Sequence, residues 1–259
     1  MEAVILAGGI PSPKHPLHPY TQGKPRALLE IAGKPMVQWV IDALHESGEV
    51  ERIVLVGLDH SYTINLESDV PITVLTDRGS LLENARAGLL ALNDPEEHAL
   101  VVSSDIPSLR GEMVAWAVET ARQNGTEACY FAVPREIMEE RFPSSNRTYL
   151  RLKDVEVCGA DLVVVKPSLA SSSSAQWGKL IAARKHPLKQ AALLGFDLML
   201  GVLLHRITLH EAARRVSERL GVKGCAALSP YPEMAMDADK PHQVEALRRY
   251  LAVRGGANA

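Results

Sequence analysis

The chain has 259 residues, 46% of them apolar and 23% charged, with a formal net charge of −3. These values suit a globular protein of one large or two modest domains, and the acidic balance argues against the basic stripe that a nucleic-acid partner needs, though not against a local cationic pocket for a nucleotide. Cys129, Cys158 and Cys225 are odd in number and widely spaced, which gives neither a disulfide framework nor a metal-binding C-x-x-C pair; a cytoplasmic location is the expectation. No secretory signal is expected from the opening residues, where Glu2 replaces a basic region and the apolar run is too short. The most apolar window of the chain, residues 191–204, contains Asp197 and falls short of the ~20 residues a membrane span requires, so no membrane partner is expected.

Residues 3–7 form an apolar run of buried-strand length that stops at Gly8-Gly9. The loop that follows carries Pro11, Pro13, Pro16, Pro19 and Pro25 and shows neither helical nor strand periodicity. Leu28, Leu29 and Ile31 then lead through Gly33-Lys34-Pro35 into a helix predicted over 35–47, with Met36, Val37, Val40, Ile41 and Leu44 on one face. A buried strand ending in glycines is how α/β proteins bring backbone amides to a phosphate. Neither G-x-G-x-x-G nor G-x-x-x-x-G-K-[ST] is present.

Taken together, Leu6-Ala7-Gly8-Gly9, then Lys24-Pro25-Arg26-Ala27-Leu28-Leu29, then Ile31-Ala32-Gly33-Lys34-Pro35-Met36 resemble the N-terminal signature of the nucleotidyltransferases of GT-A-like fold. That family includes sugar-1-phosphate nucleotidylyltransferases and the molybdenum-cofactor guanylyl- and cytidylyltransferases. The resemblance implies a Rossmann-like GT-A fold: a central, mostly parallel sheet flanked by helices, with a helical acceptor-side insertion at about residues 174–220. It also implies that Leu6 to Gly9 receive the nucleotide and that Lys24 and Arg26 act on its triphosphate. The chain departs from the family twice. Its first loop lacks the arginine of G-x-G-x-R, and Arg26 stands where the family has lysine, keeping the charge in a bulkier, bidentate form.

Further along, buried strands are predicted over 52–57 and 72–75, which with the first strand and helix form a βαβ unit. Ser80 and Glu83 read as a capping box for a helix faced by Leu81, Leu82, Ala85, Leu89 and Leu90. The resemblance offers another reading, in which Gly79, Ser80 and Asn84 border the nucleobase and the helix carries the small Gly88 towards it. A strand over 98–104 ends in Ser104-Asp105-Ile106-Pro107. A carboxylate there lies at the ligand-binding end of a parallel sheet. Asp105 is either the N-cap of the next helix or a ligand for Mg²⁺ (or Mn²⁺), and Ser103 to Pro107 resemble the family's metal-aspartate motif.

A helix over 112–124 and a strand over 128–133 complete the nucleotide half, residues 1–135. Residues 133–143 mark a seam to an acceptor-side half, 136–259, of one continuous domain. Residues 147–153 alternate strictly, with Arg147, Tyr149, Arg151 and Lys153 on one face. This is either a solvated edge or a cationic face for an acceptor phosphate. By resemblance, Gly159 and Asp161 contact the acceptor just before a strand over 162–165. A serine-rich surface loop at 168–175 precedes helices over 176–186, 188–204 and 209–220, the last with a Thr208/Glu211 capping box. The helices cover the acceptor site or form a dimer face, and homo-oligomerisation is left open. The basic cluster Arg184-Lys185-His186 with Lys189 is either a solvated helix end or part of the acceptor pocket.

Short extended pieces are expected at 226–228 and 234–236, then Asp237-Ala238-Asp239-Lys240-Pro241 and a terminal helix through Leu251. Asp239 suits an N-cap. The resemblance makes it a second metal ligand, with Asp237 as the second choice. The implied reaction is attack by a phosphorylated small-molecule acceptor on the α-phosphorus of an NTP, with loss of pyrophosphate. Two alternatives stand beside it. One is a non-catalytic nucleotide or nucleotide-sugar binding protein with a degenerate phosphate loop. The other is a GT-A glycosyltransferase, whose preferred D-x-D pair Asp105-Ile106-Pro107 lacks.

Overall fold

The computed structural model describes residues 1–63, 65–171 and 195–255. Ten strands account for its sheets: β1 (Glu2–Leu6), β2 (Glu30–Ile31), β3 (Lys34–Pro35), β4 (Arg52–Val56), β5 (Ile72–Leu75), β6 (Ala99–Ser103), β7 (Ala128–Pro134), β8 (Leu150–Arg151), β9 (Glu156–Val165) and β10 (Gly224–Leu228). The main sheet runs β10-β7-β9-β6-β1-β4-β5, with β8 attached to β9, while β2 and β3 form a separate hairpin. All main-path pairings are parallel except those of β9, which lies antiparallel to both β6 and β7. One sheet therefore passes through both sequence halves. Because β9 is reversed, its N-terminal part lies at the same end as the carboxyl ends of β1, β6 and β7.

The helices used below are α1 (Met36–Glu46), α2 (Leu81–Leu90), α3 (Gly111–Asn124), α4 (Arg135–Arg141), α5 (Phe196–Leu203), α6 (Leu209–Leu220) and α7 (Pro241–Gly255). Val37, Val40, Ile41 and Leu44 of α1 join Met113, Val114, Ala117 and Val118 of α3 over Ala3, Ile5, Ile53 and Leu100. On the other face, Leu89 of α2 packs with Val4, Val54 and Val56. Apolar residues spaced for a helix on one side and for a doubly covered strand on the other leave little choice of arrangement.

Several expectations change. The predicted strand over 147–153 shrinks to Leu150–Arg151, where Leu150 is exposed, because Asn146 takes a left-handed φ of 49° and turns the chain into Arg147. The strand expected from residue 162 starts at Glu156. The extended piece at 234–236 is a buried 3₁₀ turn, Pro232–Ala235, since Pro232 presets a helical φ. The seam at 133–143 is largely α4, with Met138 in the core and Phe142 packed against Tyr250. The proline-rich loop contains a helical turn, His18–Thr21. Of the serine-rich loop, Ser168–Ser171 is a helical turn with Ala170 buried. The helix expected over 176–186 and the cluster Arg184, Lys185, His186 and Lys189 lie outside the described residues, as does the first part of the helix expected over 188–204.

Two cysteines distant in sequence become neighbours. Cys129 and Cys225 are partners in the β7–β10 register, with their sulfurs 3.0 Å apart as free thiols. Burial and the Cys225 sulfur push the Cys129 thiol well above its ordinary range. No helix among the described residues is long and apolar enough to cross a membrane.

Gly88 faces the sheet and not the base pocket: a Cβ there would overlap the Val4 side chain and press on Val56. Gly88→Ala gains about 1 kcal/mol of helix propensity, but overpacking costs about 1–3 kcal/mol. The variant should be less stable than wild type, seen as a lower urea midpoint at unchanged m-value. A raised midpoint would mean that α2 lifts from β1 without cost.

Candidate active site

Four carboxylates and two guanidiniums meet at the carboxyl end of the sheet. Asp105 follows β6 and is 4% exposed. Its Oδ2 accepts from Arg26 Nη2 at 2.7 Å, and Ser103 Oγ donates to its Oδ1. The other terminal nitrogen of Arg26 binds Asp239. Arg147 binds Asp237, reaches Asp161 at 3.5 Å, and donates to the Gly159 carbonyl at 3.1 Å. The Asp105 carbonyl accepts from Ala238 N at 3.0 Å, which pins the segment holding Asp237 and Asp239 beside β6. Asp105 is not an N-cap: α3 starts at Gly111, with Arg110 before it.

Charge is not balanced here, because four carboxylates face two guanidiniums. Burial, then the Asp105 charge, pushes the Asp161 carboxyl up to about 8 against the pull of Arg147. Burial likewise raises Asp237 to about 6, with Arg147 opposing and Asp239 adding to the shift. For Arg26, burial works against the charge, but Asp105 and then Asp239 hold its pKa above the ordinary value.

The glycine loop lies alongside. Ser104 N donates to the Leu6 carbonyl at 3.1 Å, Ala7 N to Val56 O at 2.8 Å, and Arg26 N to the Gly9 carbonyl at 3.2 Å. Gly57, at φ 106°, has no room for a side chain because the Gly8 backbone lies against it. Gly9 is exposed at φ 106°, and Lys24 is exposed nearby in sequence. Asn84 is 4% exposed. Its carbonyl accepts from Arg78 N at 2.7 Å and its amide donates to Asp77 Oδ1 at 3.0 Å, which shapes the turn containing Gly79. Ser80 caps α2, accepting from Glu83 N.

The structure thus joins Arg26, Asp105, Arg147, Gly159, Asp161, Asp237 and Asp239. Arg151 stands apart: it is exposed and pairs with Glu156 at 3.2 Å, because the alternation placing it beside Arg147 does not persist as a strand. Three contributors were not expected. Ser103 holds Asp105. Tyr130 places its hydroxyl against Gly159, where a Cβ would collide with it, and its ring borders an apolar cavity of about 300 Å³ lined by Val163, Ala212, Val216 and Leu220. Gln243, 2% exposed, accepts from Asp239 N at 3.1 Å and donates to Asp237 Oδ1 at 3.3 Å and to Ser145 O at 3.1 Å. Its signal in the sequence is a polar residue next to the apolar stripe Val244, Leu247, Leu251.

Asp105 and Asp239 present hard oxygen donors to one cationic group, so the pair fits a hard divalent cation. Among the described residues no three carboxylate, imidazole or thiol groups are arranged to hold one. Such a site suits an ion that takes its remaining ligands from substrate phosphates and water.

The MobA-like NTP transferase domain matches residues 3–221. The chain belongs to that family. A hypothetical transferase from Thermus thermophilus is 33% identical, covering 94% of this chain and 100% of that one, with a TM-score of 0.81. A probable molybdenum cofactor guanylyltransferase from Pyrococcus horikoshii is 29% identical over 133 residues, 51% of this chain and 61% of that protein. The bifunctional protein GlmU of Methanococcus maripaludis is 30% identical over 107 residues, 41% of this chain. The match spans 25% of GlmU's own length. CMP:2-keto-3-deoxy-manno-octonic acid synthetase, solved with CTP, shares the fold at a TM-score of 0.61 and 13% identity, covering 98% of this chain and 100% of that one. The family's GT-A-like fold is the one the sheet order displays.

Two expectations follow for this MobA-like domain. Gln243→Leu leaves the Asp239 amide without its partner and leaves the Ser145 carbonyl only His242 Nε2, at 3.4 Å. An unsatisfied buried group costs about 1–3 kcal/mol, so chemical denaturation should show a loss of that order; no loss would mean that other groups hold both aspartates. Asp161 keeps its proton to higher pH in the folded than in the unfolded state. The native state therefore loses stability as pH rises from about 4 towards 8. Asp161→Asn removes this dependence, and denaturation at pH 5 and pH 8 should show its stability relative to wild type rising with pH. An equal effect at both values would contradict the assignment.

Proposed function

We propose that the protein is a nucleotidyltransferase that uses Mg²⁺ or Mn²⁺ to transfer an NMP group from an NTP to a phosphorylated small-molecule acceptor, releasing pyrophosphate. The observation that carries this reading is the convergence of Asp105 and Asp239 on one cationic group beside the Gly8-Gly9 loop. The family assignment supports the reaction class. The phosphorylated acceptor is supported by relatives such as 2-C-methyl-D-erythritol 4-phosphate cytidylyltransferase of Photobacterium profundum, 27% identical over 142 residues.

In this reading the Gly8-Gly9 turn admits the triphosphate, and Lys24 and Arg26 offset its charge. Gly79, Ser80 and the Asn84-braced turn border the base. Asp105 and Asp239 hold the metal ion, which when bound supplies positive charge to the phosphate oxygens. Arg147 fixes Asp161 and Asp237 and, with Gly159 and Tyr130, forms the acceptor side. Positioning and preorganised charge supply the rate enhancement. An acceptor phosphate is already anionic and needs no general base.

Thermal unfolding with ATP, GTP, CTP, UTP and dTTP, each with and without Mg²⁺, tests the reading. Ligand at ~100 times its Kd adds about 2.7 kcal/mol, roughly 5–10 °C for a chain of this size. One NTP should give a Mg²⁺-dependent shift that Asp105→Asn abolishes, and that NTP should then release pyrophosphate with a phosphorylated acceptor. No shift with any of the five would overturn the proposal.

A further inference from the structure

Arg26 occupies the space between the two carboxylates read above as metal ligands. One of its terminal nitrogens is on Asp105 at 2.7 Å and the other is on Asp239. The guanidinium is planar, permanently charged and forked, so one group satisfies two carboxylates from different parts of the chain. A lysine ammonium is a compact point charge on a flexible stem and lacks that fixed fork. The Arg26 backbone is held as well, through its N–H on the Gly9 carbonyl, and its side chain is only 28% exposed.

A divalent cation entering this pair meets a positive charge already in place and must displace it. A triphosphate at the glycine loop offers the same guanidinium a new bidentate anionic partner. Once Arg26 turns to the phosphates, Asp105 and Asp239 are released to the metal ion. We propose that Arg26 is a gate that makes metal capture by Asp105 and Asp239 conditional on triphosphate binding, so that cation and nucleotide load together. This rests on the nucleotidyltransferase reading of the site. Arg26 acts here as a positioning residue: it sets when the carboxylates become available.

The test is binding of Mn²⁺ alone, followed by the electron paramagnetic resonance signal of the free ion, to wild type, Arg26→Lys and Arg26→Gln. Both substitutions should tighten Mn²⁺ binding by about tenfold or more, and adding Asp105→Asn to either should remove the gain. Inorganic tripolyphosphate without metal provides the reciprocal measurement by calorimetry. Asp105→Asn frees Arg26 and should tighten tripolyphosphate binding several-fold, whereas Arg26→Gln should weaken it. Circular dichroism establishes that each variant is folded, and Arg26→Lys serves if Arg26→Gln is not. Wild type binding Mn²⁺ through Asp105 as tightly as the Arg26 variants would overturn the gate and leave the metal site standing. No Mn²⁺ binding by any folded protein, together with no NTP-induced thermal shift, would overturn the gate by removing the reading beneath it.

Discussion

Crowding four carboxylates, two of them buried, around one point is the constraint on which the rest of this structure depends. Charges taken out of water are costly unless paired and hydrogen-bonded, and removing one member of a pair strands the other. The fold answers with two forked cations, one serine hydroxyl and one buried glutamine amide. These partners come from the N-terminal loop, the end of β6, the turn before β8, and α7. The reversed β9 makes the meeting geometric: Tyr130 faces Val163 but Ala132 faces Gly159, so β9 carries extra residues around Asp161. What remains unpaired after these measures is an excess of negative charge, and that excess is the chemical character of the site.

The elements that could be read from the sequence were those whose periodicity coincides with their burial. β1, β4, β5, α1, α3 and α6 fall within a residue or two of expectation, because a continuous apolar run or a one-faced stripe admits one packing arrangement. Alternation at 147–153 misled because Arg147 is turned inward after Asn146 to pair with aspartates rather than presented on a strand face. Pro232 to Ala235 looked extended because two prolines flank a stretch too short for a periodic signal. Asp105 was recognisable from its place after a central strand. The partners of Asp161 and Asp237 were not, since their pairing depends on the direction of β9, which no local pattern encodes.

Lysine and arginine are often exchanged on surfaces with little effect, but the exchange at position 26 changes what the residue can hold. A point charge would serve one oxygen at a time. The fork at Arg26 instead spans two carboxylates that lie more than a hundred residues apart in sequence. The departure from the family's signature is therefore structural as well as chemical. It ties the proline-rich N-terminal loop directly to the C-terminal segment.

That tie has a consequence for synthesis. The Ala238 amide docks on the Asp105 carbonyl, and Asp237 and Asp239 complete the ion pairs, yet all three follow Arg26 and β6 by more than a hundred residues. A nascent polypeptide emerging from the ribosome has its glycine loop, its central strands and Arg26 long before it has the aspartates that restrain them. Until Asp237 and Asp239 have been added, each guanidinium has one carboxylate partner instead of two, Asp105 for Arg26 and Asp161 for Arg147. The excess of negative charge in the site therefore arises only with Asp237 and Asp239.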